Sequence, residues 1–139
     1  MPITVTAPRG ELTASGEREI LPSLTNALLE AAGAVGNDFF TSITGGTVHL
    51  LNPDEIYAGG VNRPVIMVEL KLPSVALSSL DTRAAFITAA TEIVDALTVD
   101  GHDRRDTWVN ILHAPDGGWG IGGRAYSDAD LLAEDPAGT

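Results

Sequence analysis

The sequence predicts an α+β fold in which two tandem βαβ units form a four-stranded mixed sheet, with two helices on one face and short hairpins beside it. An apolar strand that begins with proline occurs at residues 2–8 and again at 64–70, and a helical spacing of apolar residues at 20–31 recurs at 86–97. A proline with an aromatic residue four positions later closes each half, at Pro53 with Tyr57 and at Pro115 with Trp119. Self-similarity at a fixed period indicates a duplicated unit. We therefore expect one domain over residues 1–127, with pseudo-repeats at 2–62 and 63–126.

In the first repeat, the strand at 2–8 precedes a helix between residues 12 and 32. Thr13 or Ser15 can cap the start of this helix, and Gly33 can end it. Pro22 lies inside the pattern, so either the helix is kinked there or a separate first turn precedes a main helix that Pro22 opens. A loop through residues 36–38 leads to a second strand at 47–51 and a turn-rich stretch at 52–60 that favours a short hairpin. The apolar face of the helix consists of Ile20, Leu21, Leu24, Ala27, Leu28 and Ala31.

The second repeat follows the same plan from the strand at 64–70 onward. Ser78 and Asp81 resemble a capping box at the start of its helix. A strand at 108–112 and a glycine-rich hairpin at 115–123 complete the repeat. The apolar face of this helix consists of Phe86, Ile87, Ala90, Ile93, Val94 and Leu97.

Both helices are expected on the same face of the sheet, which leaves the other face uncovered. Strands of a parallel pair are normally buried on both sides. We therefore expect copies of the chain to associate through the open sheet face, in a closed ring rather than a filament.

Composition excludes several classes of function. Nineteen acidic and eight basic residues give a net charge of −11, which disfavours binding to nucleic acid or to an anionic membrane. The chain has no cysteine, so disulfides, thiolate metal sites and cysteine nucleophiles are excluded. His49, His102 and His113 match no metal-ligand spacing, and the glycine motif at 118–123 opens no helix, as a dinucleotide site requires. We expect neither a metal nor a cofactor.

No apolar run approaches membrane-spanning length, and the first residues do not resemble a signal peptide. A cytoplasmic protein is the resulting expectation. Residues 128–139 carry Asp128, Asp130, Glu134 and Asp135 without a compensating base. Their composition predicts an acidic, solvated C-terminal tail.

Pro2 is the strongest candidate for a catalytic residue in the sequence. Within a chain a proline nitrogen is neither a donor nor a base, but removal of Met1 would convert it into a secondary amine that can take up a proton. Burial and nearby cations would lower the pKa of that amine towards neutrality. Pro2 is therefore the candidate general base.

Together, Pro2 at the start of a strand, the duplicated βαβ plan and the ending Trp119-Gly120-Ile121-Gly122-Gly123 resemble the tautomerase superfamily. This superfamily includes 4-oxalocrotonate tautomerase, cis-3-chloroacrylic acid dehalogenase, malonate semialdehyde decarboxylase and macrophage migration inhibitory factor. The resemblance covers residues 2 to 126. The stretch at 36–40 is also similar to the corresponding part of the decarboxylase.

The resemblance implies a homotrimer in which Met1 is removed and the amine of Pro2 is the general base. It implies that Asp38 assists in catalysis and that Trp119 lines the pocket and lowers the pKa of Pro2. Asp38 as a loop cap and Trp119 as hairpin packing are the structural alternatives.

The chain also departs from the family. The dehalogenases and the decarboxylase hold carboxylates with two arginines after the third strand, where this chain has Lys71-Leu72-Pro73-Ser74-Val75-Ala76. Lys71 lacks the bidentate geometry of arginine, and Asn110 stands in place of a tyrosine of the cis-dehalogenase. We therefore expect a tautomerase-like isomerase that moves a proton in a small anionic enol or α-keto acid. Arg9, Lys71, Asn110 or Arg124 would hold its oxyanion.

Two alternatives remain open at this stage. One is hydratase, decarboxylase or dehalogenase chemistry on a three-carbon acid at the same site, with dehalogenation disfavoured by the missing arginines. The other is a non-catalytic oligomeric binding protein with the same fold.

Overall fold

The computed structural model describes residues 1–135. Eight strands and four α-helices follow one another, with 3-10 turns at 53–55 and 104–106. In chain order they are β1 (Pro2–Pro8), α1 (Ala14–Ala31), α2 (Asp38–Ser42), β2 (Gly45–Leu51), β3 (Tyr57–Ala58), β4 (Val61–Asn62), β5 (Ile66–Pro73), α3 (Leu80–Leu97), β6 (Thr107–Ala114), β7 (Trp119–Ile121), β8 (Arg124–Tyr126) and α4 (Asp128–Leu132).

The main sheet has the order β2-β1-β5-β6. Each repeat contributes one parallel pair, β1 with β2 and β5 with β6. The two repeats meet at the antiparallel pair β1 and β5, where Val5 faces Val68. This arrangement confirms the predicted mixed four-stranded sheet with two main helices.

Alternation along the central strands explains why one face of the sheet forms the core. Ile3, Val5 and Val68 are completely buried beneath the helices, whereas Thr4 and Glu69 on the opposite face are half-buried. Side chains of a strand point alternately to the two faces. The open face therefore carries a mixture of polar and apolar side chains, including Trp108, which is 40% exposed.

The two long helices lie where their apolar spacing predicts. Thr13 caps α1 by accepting a hydrogen bond from the amide of Gly16, and Pro22 lies inside one continuous helix. Ser79 caps α3 in a capping box with Thr82. The prediction of a box from Ser78 and Asp81 was therefore wrong by one residue, because the hydroxyl of Thr82 bonds the amide of Ser79.

Two short helices lie outside the sequence-based expectation. Residues 38–42 form α2 instead of a loop, with Asn37 as its cap. Residues 128–132 form α4, which starts at a capping box between Ser127 and Asp130. Leu131 of α4 is 1% exposed, so this acidic segment packs on the domain where a solvated tail was expected. Residues 136–139 lie outside the described residues, and the boundary at residue 127 stays a prediction.

Within residues 1–135, no helix combines the length and apolar character needed to cross a membrane.

Candidate functional site

Two neighbouring cavities flank the first residue of the chain. The larger has a volume of about 440 Å³ and is bounded by the end of α1, by α2, by the β5–α3 connection and by α4. The smaller has a volume of about 310 Å³ and lies against the β7–β8 hairpin. Met1 lines both cavities, and Pro2, Ser42, Ile43 and Trp119 line the smaller one.

The first residue is held tightly. Met1 is 3% exposed and belongs to the hydrophobic core. Its amine donates a hydrogen bond to the carbonyl of Ile43, directly after α2, and its own carbonyl accepts from the amide of Gly45 at 3.2 Å. Burial removes water from the amine and lowers its pKa from 8.0 to about 6. A basic nitrogen at this end of β1 is thus desolvated by the fold itself.

Pro2 is the first residue of β1 and pairs with Gly45 of β2. On the other side of β1, the antiparallel pairing with β5 ends with Ile3 opposite Leu70. The next step of that register places Lys71 opposite Pro2, on the open face of the sheet. Trp119 shares the smaller cavity with Pro2. The structure therefore brings Pro2 and Trp119 together in the smaller cavity, whereas Lys71 lines neither described cavity.

The other predicted site residues lie further from Pro2 within one chain. Arg9 directly follows the far end of β1, seven residues beyond Pro2, and Asn110 is exposed on β6 opposite Glu69. Asp38 is the exposed first residue of α2. None of these three lines either described cavity.

Arg124 lies at the edge of the smaller cavity, because it pairs with Ile121 of β7. Its guanidinium stacks on the ring of Tyr126 at 4.3 Å from the ring centroid and contacts the carboxylate of Asp130 at 3.3 Å. The contact with Asp130 directs the cation towards α4. Arg124 thus joins the hairpin to the C-terminal helix.

The β5–α3 connection forms one wall of the larger cavity. Val75, Ala76 and Leu77 line this wall. Leu77 is 3% exposed and has φ +49°, a left-handed conformation that is rare outside glycine. Arg83 donates to the carbonyl of Leu77 at 3.0 Å but does not line the cavity.

Sequence reasoning missed the contribution of the short helices to the site. Phe40 of α2 and Leu131 of α4 line the larger cavity, and Ser42 and Ile43 line the smaller one. The side chain of Asn37 ties the two helices together by donating to the carbonyl of Glu134 at 2.8 Å. The capping sequence at Ser127 followed by Leu131 was the available signal for α4.

Comparison with solved structures identifies the architecture. A fused 4-OT that forms a symmetric trimer superposes with a TM-score of 0.76 at 19% identity, over 94% of this chain and 98% of the other. The protein N1 of the cis-3-chloroacrylic acid dehalogenase family gives a TM-score of 0.76 at 13% identity, over 100% and 92% of the two chains. Macrophage migration inhibitory factor of Toxoplasma gondii gives 0.67 at 12% identity, over 91% and 100%.

No family sequence model and no curated protein sequence matches the chain. The structural matches show that the chain has the fold of the tautomerase superfamily, which confirms at the level of fold the resemblance recognised in the sequence. Fused 4-OT structures are among the trimeric neighbours.

Proposed function

We propose that this protein is a tautomerase-like isomerase whose general base is the amine of Pro2, exposed by removal of Met1. The observation that carries the proposal is the desolvated N-terminal nitrogen at the junction of two cavities. Burial lowers the pKa of the Met1 amine to about 6, and this amine lies one residue before Pro2, whose own side chain is exposed. Lys71 opposite Pro2 adds a positive charge that further disfavours protonation of the amine.

The reaction needs only a proton to move between oxygen and carbon. The neutral amine of Pro2 first takes the proton from the enol hydroxyl. The carbon–oxygen bond then becomes a carbonyl double bond, while the former carbon–carbon double bond becomes a single bond and its carbon takes the proton back from the protonated amine. The proline returns to its neutral form, so no net charge or atom is gained or lost. A base near neutral pKa is suited to both transfers.

Three residues are proposed to act with Pro2. Trp119 forms an apolar wall that excludes water from the amine. Lys71 holds the oxygen that becomes negatively charged. Asp38 lies one helical turn before Ser42 of the smaller cavity, and we propose that it assists the second proton transfer.

We further propose a homotrimer that buries the open sheet face. Its exposed Trp108 and Leu112, 40% and 54% exposed, suit an interface. Arg9 and Asn110 would then be positioned to reach a site of a neighbouring copy, which accounts for their distance from Pro2 within one chain. We propose a cytoplasmic location, without a metal, a cofactor or a nucleic-acid partner.

A second candidate function follows from the same N-terminus. With Met1 in place, the nitrogen of Pro2 is an amide and the buried Met1 lines both cavities. A protein that keeps Met1 would be a non-catalytic oligomeric binding protein. Hydratase, decarboxylase or dehalogenase chemistry receives no separate support from the cavity, because its wall presents Val75 and Ala76 where relatives have arginines.

The deciding experiment combines intact mass with kinetics. The mass shows whether the purified protein begins at Pro2. Ketonisation of enol phenylpyruvate and of 2-hydroxymuconate is then measured for the wild type, for Pro2→Ala and for Asp38→Asn. Pro64→Ala is the matched control, since Pro64 occupies the corresponding position of the second repeat.

We expect Pro2→Ala to lose about 100-fold or more in kcat/KM, the scale of general-base catalysis, whereas Pro64→Ala retains activity. The rate should rise with pH through the pKa of the Pro2 amine, because only the neutral amine is a base. Turnover that survives in full in Pro2→Ala, or complete retention of Met1 in the native protein, would exclude this mechanism.

A further inference from the structure

We infer that the backbone amide of Gly45 binds the substrate oxygen that becomes negatively charged during the proton transfer. This inference rests on the proposed function, since it adds a catalytic group to the site of Pro2. Gly45 is the first residue of β2 and pairs with Pro2 of β1. The amide therefore approaches the oxygen from β2, whereas Lys71 is proposed to approach it from β5, on the other side of β1.

The first argument is the contact that this amide makes while Met1 is present. The amide of Gly45 donates to the carbonyl oxygen of Met1 at 3.2 Å. The carbonyl carbon is bonded to the nitrogen of Pro2, so the oxygen lies two bonds from the candidate base. Removal of Met1 takes this acceptor away and leaves the amide directed at a position beside the amine of Pro2. A ligand oxygen near that position can form hydrogen bonds with both nitrogens.

The second argument is access for a ligand. Gly45 is exposed, and a Cβ atom built on it would meet no other atom within 4 Å. While Met1 is present, Gly45 does not line the smaller cavity, whereas Met1, Pro2 and Ile43 do. Departure of Met1 therefore opens the amide of Gly45 towards the space that Pro2 and Trp119 share.

The third argument is the match between the freed backbone groups and the charges of the reaction. The carbonyl of Ile43 accepts a hydrogen bond from the Met1 amine and loses this donor when Met1 is removed. After the first proton transfer, the enol oxygen is negative and the amine of Pro2 is positive. An amide donor stabilises the anion, and a neighbouring carbonyl favours the protonated amine. Because both charges arise only during the reaction, these contacts lower its barrier more than they strengthen substrate binding.

The kinetic test compares two substitutions of Gly45 in protein that begins at Pro2, as mass verifies. Gly45→Pro removes the amide hydrogen, and proline is tolerated at the first residue of an edge strand, the place of Gly45 in the order β2-β1-β5-β6. Gly45→Ala is the matched variant, because it changes the side chain and keeps the amide. In the ketonisation of enol phenylpyruvate, we expect kcat of Gly45→Pro to be about 100-fold below that of Gly45→Ala, the scale for one oxyanion donor. Their KM values should be similar, because the contact strengthens in the transition state.

A second measurement depends neither on the folding of a variant nor on turnover. Wild-type protein with isotope-labelled glycine is titrated with phenyllactate, which carries the carboxylate and the adjacent oxygen of the substrate but cannot enolise. In protein that begins at Pro2, the amide proton of Gly45 should move downfield in the NMR spectrum as the ligand binds. The amide of Gly60, between β3 and β4, is the internal reference and should not move. In protein that retains Met1, the amide of Gly45 should not respond.

The inference is overturned if the Gly45 amide stays in place during the titration, whether or not phenyllactate binds, or if it responds equally in protein that retains Met1. Equal kcat values of the two folded Gly45 variants would also overturn it. Turnover of Pro2→Ala is measured separately. Full activity of Pro2→Ala would refute the proposed function, whereas a response of the Gly45 amide would still assign that group to the bound ligand.

Discussion

Docking of α4 gives the most direct test of the architecture around the larger cavity. Leu131 is 1% exposed, whereas the adjacent Leu132 is 50% exposed. Truncation of a buried leucine to alanine costs about 2 to 5 kcal/mol. We take about 2 kcal/mol for Leu131→Ala, at the lower end of that range, because a short peripheral helix can relax. Leu132→Ala removes half as much buried surface and should cost about 1 kcal/mol or less.

Hydrogen exchange of the segment 127–135 provides the assay. The amides of Leu131 and Ala133 donate to the carbonyls of Ser127 and Ala129, each at 3.1 Å, so their exchange reports undocking of α4. A loss of about 2 kcal/mol corresponds to exchange about 30-fold faster. Leu132→Ala is the control for a change of the same size and chemistry. Equal exchange in both variants, or unprotected amides in the wild type, would refute the packing of α4 described above.

Three further predictions concern other parts of the chain. Gly16→Ala should destabilise the protein by about 1 to 3 kcal/mol in urea denaturation, because its new Cβ would collide with the carbonyl of Leu97; Gly45→Ala, with open space at its Cβ, should be near neutral. Hydrogen bonds from the neighbouring arginine lower the pKa of Asp103 from 3.8 to about 2. The stabilisation from ionised Asp103 is therefore present above pH 3.8 and is lost as the pH falls towards 2. Asp103→Asn should make stability depend less on pH in this range, and an unchanged acid denaturation curve would contradict the prediction. In protein that retains Met1, NMR titration of its amine should give a pKa of about 6, and a value near 8 would show that the amine is solvated.

Much of the fold could be predicted because the same order of strands and helix occurs twice in the sequence. The strand from Pro2 and the helix from Thr13 each have a counterpart in the second repeat, and periodicity identifies elements of 7 to 18 residues well. The helices α2 and α4 have five residues each, too few for a periodic pattern. The acidic charge suggested a solvated end, but α4 docks through the buried Leu131 and through polar contacts of Asp128 and Asp130 with Ser74 and Arg124.

The candidate site was only partly predictable for a different reason. Pro2 was a candidate from its place in the sequence and Trp119 from the family resemblance, whereas Lys71 was a candidate because it stands where the resemblance would imply an arginine; all three stay predictions. The cavity wall, however, combines segments as distant as Ala31 and Leu131, and no local pattern marks residues that meet only after folding. The sequence shows that residues 71–76 contain no arginine, but it does not show the cavity that Ser74, Val75 and Ala76 line.

The antiparallel pair of β1 and β5 joins two halves that share one architecture but begin with different chemical groups. Arg63 stands in the second half where Met1 stands in the first, 62 positions earlier. Its guanidinium pairs with the largely buried carboxylate of Asp106, whereas the amine of Met1 bonds the carbonyl of Ile43. The nitrogen of Pro64, moreover, is permanently committed to a peptide bond. The two halves therefore share one scaffold, but only the first half begins at a free N-terminal amine, that of Met1.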